Sequence, residues 1–258
     1  MCVHTNEVLQ PHSSVHFSGP GMYSRSHLTA IAFLLCILGC SSEETYVTRA
    51  PQADGGTGRF YMGREIADVM SSEHGALWLD RPERNEEELP TRLLRALDLN
   101  ASDLVADIGA GTGFFSFRLA QLVPSGRVYS VEVQQALVDT LAARSSRMGI
   151  RNVVPVLGVS DNPNLPEGKV DLALIVSSYH EFSYPFEMLD HIRRSLSPGG
   201  RLAIVEYRTE DSTIRIPEAH RMSREQIIQE GEAVGLRFRE TLDVLPQQHI
   251  VVFNLPAE

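Results

Sequence analysis

Cysteine is missing from the body of this 258-residue chain: Cys2, Cys36 and Cys40 all fall within the first forty positions. The rest therefore has no disulfide framework, no thiolate metal cluster and no cysteine nucleophile. Lysine is nearly missing too, with Lys169 the single example, and the arginines are scattered rather than clustered. Residues 1–39 hold one base, Arg25, and one acid, Glu7, so the remainder carries the whole net charge of -10. A body of that sign repels phosphate backbones, which makes nucleic acid a poor partner. No apolar run reaches the ~20 residues that a membrane-spanning helix needs. What is present is ordinary for a globular domain, with 43% apolar and 22% charged residues.

Residues 1–21 are polar and irregular. From Met22 a short stretch containing Arg25 leads into the mostly apolar Leu28–Leu38 and then Gly39-Cys40-Ser41-Ser42. A basic stretch, a short apolar stretch and small residues, in that order, have the layout of a secretory signal. Residues 1–39 are thus expected to be a signal segment starting in effect at Met22. Residues 40–60, rich in small and polar residues, are expected to be a flexible tether, and 61–258 the folded domain. Ile37-Leu38-Gly39-Cys40 resembles the lipobox of bacterial lipoproteins. That resemblance implies cleavage before Cys40, a lipid on its sulfur and a membrane-anchored place in the cell envelope; a cytoplasmic location is the alternative.

From Phe60 the pattern becomes periodic. Met62–Ser72 and Glu86–Leu97 read as amphipathic helices, the second with Leu89, Leu93, Leu94 and Leu97 at helical spacing. Leu104–Ile108, Arg127–Val133, Val153–Leu157, Asp171–Ser177 and Arg201–Tyr207 read as strands. Phe114–Leu122, Gln134–Met148 and Pro185–Leu196 read as helices between them. This alternation predicts an α/β fold, a doubly wound and mostly parallel sheet with right-handed crossovers. After a helix at Arg224–Val234, the segments Leu236–Val244 and His249–Asn254 suggest an antiparallel pair closing one sheet edge.

Asp107-Ile-Gly109-Ala-Gly111-Thr-Gly113 follows a predicted strand and opens a helix. Glycines let backbone come close to a ligand there, and ligands of open sheets sit at the carboxyl ends of the strands. A dinucleotide loop would place its third glycine at the position of Phe114. Asp107 would also sit badly beside a pyrophosphate and suits a cationic group better. Glu132, at the end of the next strand, could accept two charge-assisted hydrogen bonds from a ribose diol.

The loop Asp107–Gly113, Glu132, Asp161 before Leu165-Pro166, the strand Val170–Val176 and Leu196-Ser-Pro-Gly-Gly-Arg-Leu202 together resemble class I S-adenosylmethionine (SAM)-dependent methyltransferases. The resemblance implies a Rossmann-like, seven-stranded sheet under N-terminal cover helices, with SAM as cofactor. It implies that Gly109, Ala110, Gly111 and Gly113 line the methionine and ribose parts of SAM. By the same resemblance Asp107 faces the methionine ammonium, Glu132 holds the ribose hydroxyls and Asp161 accepts from the adenine amino group. Ser177 and Ser178 would end the fourth strand beside the sulfonium. Tyr179-His180-Glu181 follows that strand, where the family often contacts the acceptor. His180 is the candidate base, Glu181 could orient or charge it, and Tyr179 could pack against SAM or cover the acceptor. Tyr61, Arg64, His74 and Trp78 could line a lid over the acceptor. The body has no cysteine and no Asn-Pro-Pro-Tyr motif after the fourth strand, which leaves a small-molecule or lipid-like acceptor and needs no metal. A SAM-binding lipoprotein without catalysis, and less so a nicotinamide oxidoreductase, are the competing readings.

Overall fold

The computed structural model describes residues 45–70, 75 and 78–256. The signal segment, Cys40 and His74 lie outside the described residues. Two sheets are present among those described. The small one is antiparallel, β1 (Tyr46–Thr48), β2 (Gly56–Tyr61) and β3 (Arg64–Ala67) in that order. It replaces two expectations. Residues 46–48 and 56–60 are strand rather than flexible tether, and Arg64–Ala67 is strand rather than the helix expected over Met62–Ser72. The physical reason lies in the turn. Tyr61 pairs with Arg64 across Met62 and Gly63, at φ 46° and 93°. Positive φ at both central residues is the two-residue hairpin geometry that matches strand twist. Glu65 then fastens the approach loop, its carboxylate accepting from the backbone N–H groups of Gln52 (2.9 Å), Ala53 (2.8 Å) and Gly58 (2.6 Å).

The large sheet contains β4 (Leu104–Ile108), β5 (Arg127–Glu132), β6 (Val153–Leu157), β7 (Val170–Val176), β8 (Leu196–Tyr207), β9 (Arg237–Leu242) and β10 (Gln248–Asn254). Their order is β6-β5-β4-β7-β8-β10-β9. The first five are parallel, and β10 pairs antiparallel with both β8 and β9, the edge pair the sequence predicts. The strand order reverses between β4 and β7, which marks where a ligand crevice forms.

Helices cover both faces. They are α1 (Arg84–Glu87), α2 (Pro90–Ala96), α3 (Ser116–Leu122), α4 (Gln135–Met148), α5 (Pro185–Ser195) and α6 (Arg224–Ala233). The helix expected over Glu86–Leu97 is two helices, because Leu89 takes φ 44° ahead of Pro90; a residue before proline is pushed out of the α region. None of the helices described is long and apolar enough to cross a membrane. Alternate residues of each strand feed opposite cores. Val105, Leu172 and Leu174 pack with Leu93 and Leu119 on one side, while Ala106, Ile108 and Ile175 pack with Leu189 and Ile227 on the other.

Gly113 sits where α3 and α4 close on the loop. It has φ 92°, and a Cβ there would lie 2.4 Å from the Phe117 ring and 2.8 Å from Leu141. Gly113→Ala is expected to lower stability by roughly 2–4 kcal/mol, from strain plus overpacking. A urea midpoint that stays at the wild-type value would contradict this packing.

Candidate functional site

The carboxyl ends of β4 and β7 open into a cavity of about 470 Å³. Its first end is built by the glycine loop. Gly109 and Ala110 both donate their N–H to the Val131 carbonyl at 3.0 Å, which folds the loop tightly over β5. Gly109 has φ 73°, and a Cβ there would fall 2.4 Å from Ser178 Oγ, so the backbone conformation and the close contact each exclude a side chain. Glu132 fixes the other wall. Its carboxylate accepts from the N–H groups of Gly111 (3.1 Å), Val133 (2.8 Å) and Gln134 (3.2 Å).

Asp107 is buried beneath the loop and accepts from Ser116 Oγ at 2.5 Å. Burial pushes its carboxyl up to about 6, against the lowering effects of the Ser116 hydroxyl and the Arg84 guanidinium. Ser177, at the tip of β7, takes φ 47°, a strained conformation for a side-chain-bearing residue. It is held there by an N–H donated to the Val205 carbonyl (2.8 Å) and by Gln248 Nε2 donating to its hydroxyl (2.7 Å).

The second end begins in the one-turn helix Tyr179–Glu181. His180 is buried, with Nδ1 2.7 Å from Glu206 Oε2, and Glu206 has no exposure at all. The other Glu206 oxygen accepts from the N–H groups of Tyr179 (2.8 Å) and His180 (3.3 Å), so this carboxylate sets both the turn and the ring. Burial by itself would keep the imidazole neutral; the Glu206 carboxylate outweighs it and raises the ring's proton affinity. Glu181 lies beside His180 and His220, and burial pushes its carboxyl up to about 7, with His180 acting in the opposite sense.

Of the sequence-predicted residues, Asp107, Gly109, Ala110, Gly111, Glu132 and Ser177 line the cavity, as do His180 and Glu181. Trp78 lines it too. Five predicted residues stand elsewhere. Tyr61 is buried at the end of β2, and Arg64 pairs with Glu230 at 2.6 Å. Gly113 is a packing position. Tyr179 is fully buried and donates its hydroxyl to Glu230 at 2.6 Å. Asp161 is exposed at the tip of a small turn, because Val159 and Asn162 bond to each other around it; its neighbour Ser160 reaches the cavity instead.

Comparison with known proteins agrees with this geometry. Residues 105–200 match the family model of a methyltransferase domain. A SAM-dependent methyltransferase structure from Aquifex aeolicus superimposes with a TM-score of 0.68 at 25% identity, covering 73% of this chain and 100% of that one. Residues 105–200 thus carry a methyltransferase domain, on the fold of a class I SAM-dependent methyltransferase. Among curated sequences, the protein-L-isoaspartate O-methyltransferase of Aeropyrum pernix is 32% identical over 121 residues, 44% of this chain and 42% of the relative. An uncharacterised methyltransferase of Mycobacterium tuberculosis is 29% identical over 123 residues, 48% of this chain and 47% of the relative. The chain spans less than half the length of these curated relatives.

Several groups on or behind the cavity wall of this methyltransferase domain escape a reading of the sequence. Arg84 is buried against Glu88 at 2.9 Å and lies over the Phe114 ring at 4.2 Å. The spacing of four residues was the sole signal for that pair. Glu206, the next-to-last residue of β8, stands behind His180 rather than on the cavity wall; it follows an unbroken apolar run, and a charged residue there was the available signal. His220 comes from the one-turn helix Glu218–His220, forty residues beyond its ring neighbour His180 at 4.9 Å, and nothing local marks it.

Proposed function

We propose that the protein transfers the methyl group of SAM to a small-molecule or lipid-like acceptor held against His180 and Glu181. The observation that carries this reading is one continuous cavity with the glycine loop and Glu132 at one end and His180 and Glu181 at the other. Gly109, Ala110 and Gly111 line the cavity where the cofactor would approach, with no side chain beyond a methyl group in the way, which supports this reading. When bound, SAM supplies a methyl carbon activated by positively charged sulfur. Glu132 would accept the ribose hydroxyls, Asp107 would face the ammonium, and the Gly109–Gly111 backbone would pass beneath both. At the far end, Glu206 locks the His180 ring and leaves Nε2 on the Glu181 side, 3.8 Å from its carboxylate. Such fixed placement of an acceptor can supply up to about 7–11 kcal/mol of a transfer barrier.

The isoaspartate relatives are named for a protein substrate. A cavity of about 470 Å³ is within the range of small-ligand pockets, which supports a small acceptor here. The test is calorimetric titration of the purified chain with SAM, followed by a screen for label transfer from methyl-tritiated SAM to hydroxylated, amine and lipid-like acceptors. Micromolar binding with transfer to a small acceptor is expected. No SAM binding by a folded chain would overturn the reading.

A pH dependence follows from Asp107. Its native carboxyl is raised to about 6, so protonation is favoured in the folded protein as pH falls through 6, while the SAM ammonium prefers the ionised form. SAM affinity is expected to drop below pH 6, and Asp107→Asn should bind weakly with a flatter profile. Equal affinity at pH 5 and 7.5 would argue against the contact. We further propose an envelope location through lipidated Cys40, resting on the signal layout of residues 22–42. Cys40→Ala should then move the protein out of the membrane fraction.

A further inference from the structure

The His180 end of the cavity holds more than a base needs. Glu181 Oε1 lies 3.8 Å from His180 Nε2 and 3.7 Å from His220 Nδ1. One ligand atom from each of the three residues lies within 4.8 Å of the others. These gaps are too long for direct hydrogen bonds. Ion–ligand bonds of about 2.1 Å would place neighbouring ligands roughly 3.0–3.4 Å apart, so the two Glu181 gaps need to close by several tenths of an ångström and the two rings by at most about 1.8 Å.

The outer contacts point the same way. Each imidazole has its remote nitrogen taken by a carboxylate: His180 Nδ1 by Glu206 at 2.7 Å, and His220 Nε2 by Asp68 at 3.1 Å. A carboxylate behind each histidine fixes ring and tautomer and leaves the other nitrogen as the donor, the arrangement found behind metal-bound histidines. A single His–Glu base pair accounts for His180 and Glu206. It leaves the His220–Asp68 pair, and the placing of Glu181 between two ring nitrogens, without a purpose.

We propose that His180, Glu181 and His220 bind one divalent transition-metal ion, with its remaining coordination positions open to the cavity. Two imidazoles and one carboxylate favour an ion of the zinc or iron(II) type over magnesium or calcium, which take oxygen ligands. All three residues line the cavity, so a donor atom of a small molecule can complete the coordination. Resting on the methyl-transfer reading, that molecule is the acceptor: a hydroxyl bound to the ion releases its proton to solvent more readily and is held in place for attack. His180 is then a ligand rather than the base.

The test uses the full chain and Co²⁺ as a visible probe, with Zn²⁺ as competitor. Cys2, Cys36, Cys40 and the histidines before residue 28 also bind such ions, so the site is read as the difference between the chain and its Glu181→Gln and His220→Ala variants. These two side chains are partly exposed and suit substitution better than buried His180. Expected are visible absorption saturating at one ion and displaced by Zn²⁺, a loss of affinity of 100-fold or more in both variants, and ~10-fold in Asp68→Asn. Absence of that absorption, or its persistence in both variants with unchanged melting, overturns the site. SAM titration of the same samples separates the two readings: ion binding without SAM binding sinks methyl transfer alone, and SAM binding without ion binding sinks the metal site alone.

Discussion

Glu230→Ala is expected to destabilise the protein by about 3–5 kcal/mol, because it leaves a buried cation without its partner. Glu230 has no exposed surface, and its carboxylate receives Arg64 Nε (2.6 Å) and Nη2 (3.1 Å), the Tyr179 hydroxyl (2.6 Å) and Gln226 Nε2 (2.8 Å). These donors come from β3, from the turn after β7 and from α6 itself, so the carboxylate ties the small N-terminal sheet to the large domain. Arg64 also donates to the His180 carbonyl at 3.2 Å, which couples this knot to the cavity. Replacing both charges should behave differently. Arg64→Met with Glu230→Leu is expected to recover most of the loss, since an apolar pair carries no desolvation cost. Urea unfolding of the two single variants and the double variant measures this. A Glu230→Ala loss below about 1 kcal/mol would mean that water reaches the guanidinium and that the knot is not a closed one.

The sheet and half of the cavity were legible in the sequence because each rests on short-range rules. Leu104–Ile108 and Val170–Val176 are strands too apolar for anything but a buried parallel sheet. Asp107–Gly113 needs its glycines within seven residues, and Glu132 needs only the end of the next strand. The missed features depend on competition or distance. Met62, Ile66, Val69 and Met70 have the spacing of a helix face, yet the Met62-Gly63 turn and the three N–H groups on Glu65 favour a hairpin. Local periodicity lost there to turn chemistry. Asp161 fell outside the cavity because a two-residue turn moves the lining to Ser160. Glu206, His220 and Asp68 meet His180 and Glu181 only after the chain has crossed the sheet, and no single-sequence pattern records such a meeting.

Glu132→Ala is expected to weaken SAM binding by roughly 10²–10⁴-fold, the equivalent of two hydrogen bonds to a charged acceptor at about 1.5–3 kcal/mol each. Part of the loss comes before any ligand arrives. The same carboxylate receives the N–H groups of Gly111, Val133 and Gln134, so its removal also frees the loop that must lie under the cofactor. Glu132→Gln separates the two contributions: it keeps an acceptor oxygen for the loop and gives up the charge, and should fall between wild type and alanine. Asp161→Ala supplies the contrast. Its side chain is exposed and off the cavity wall, so its Kd for SAM should stay within about twofold of wild type, well under the cost of one lost hydrogen bond to a charged group. Should Asp161→Ala weaken binding as much as Glu132→Ala, the 159–162 turn must swing inward when SAM binds and carry that carboxylate to the adenine. Should Glu132→Ala bind normally while the protein stays folded, the ribose would have to sit elsewhere, and the glycine loop would be serving another ligand.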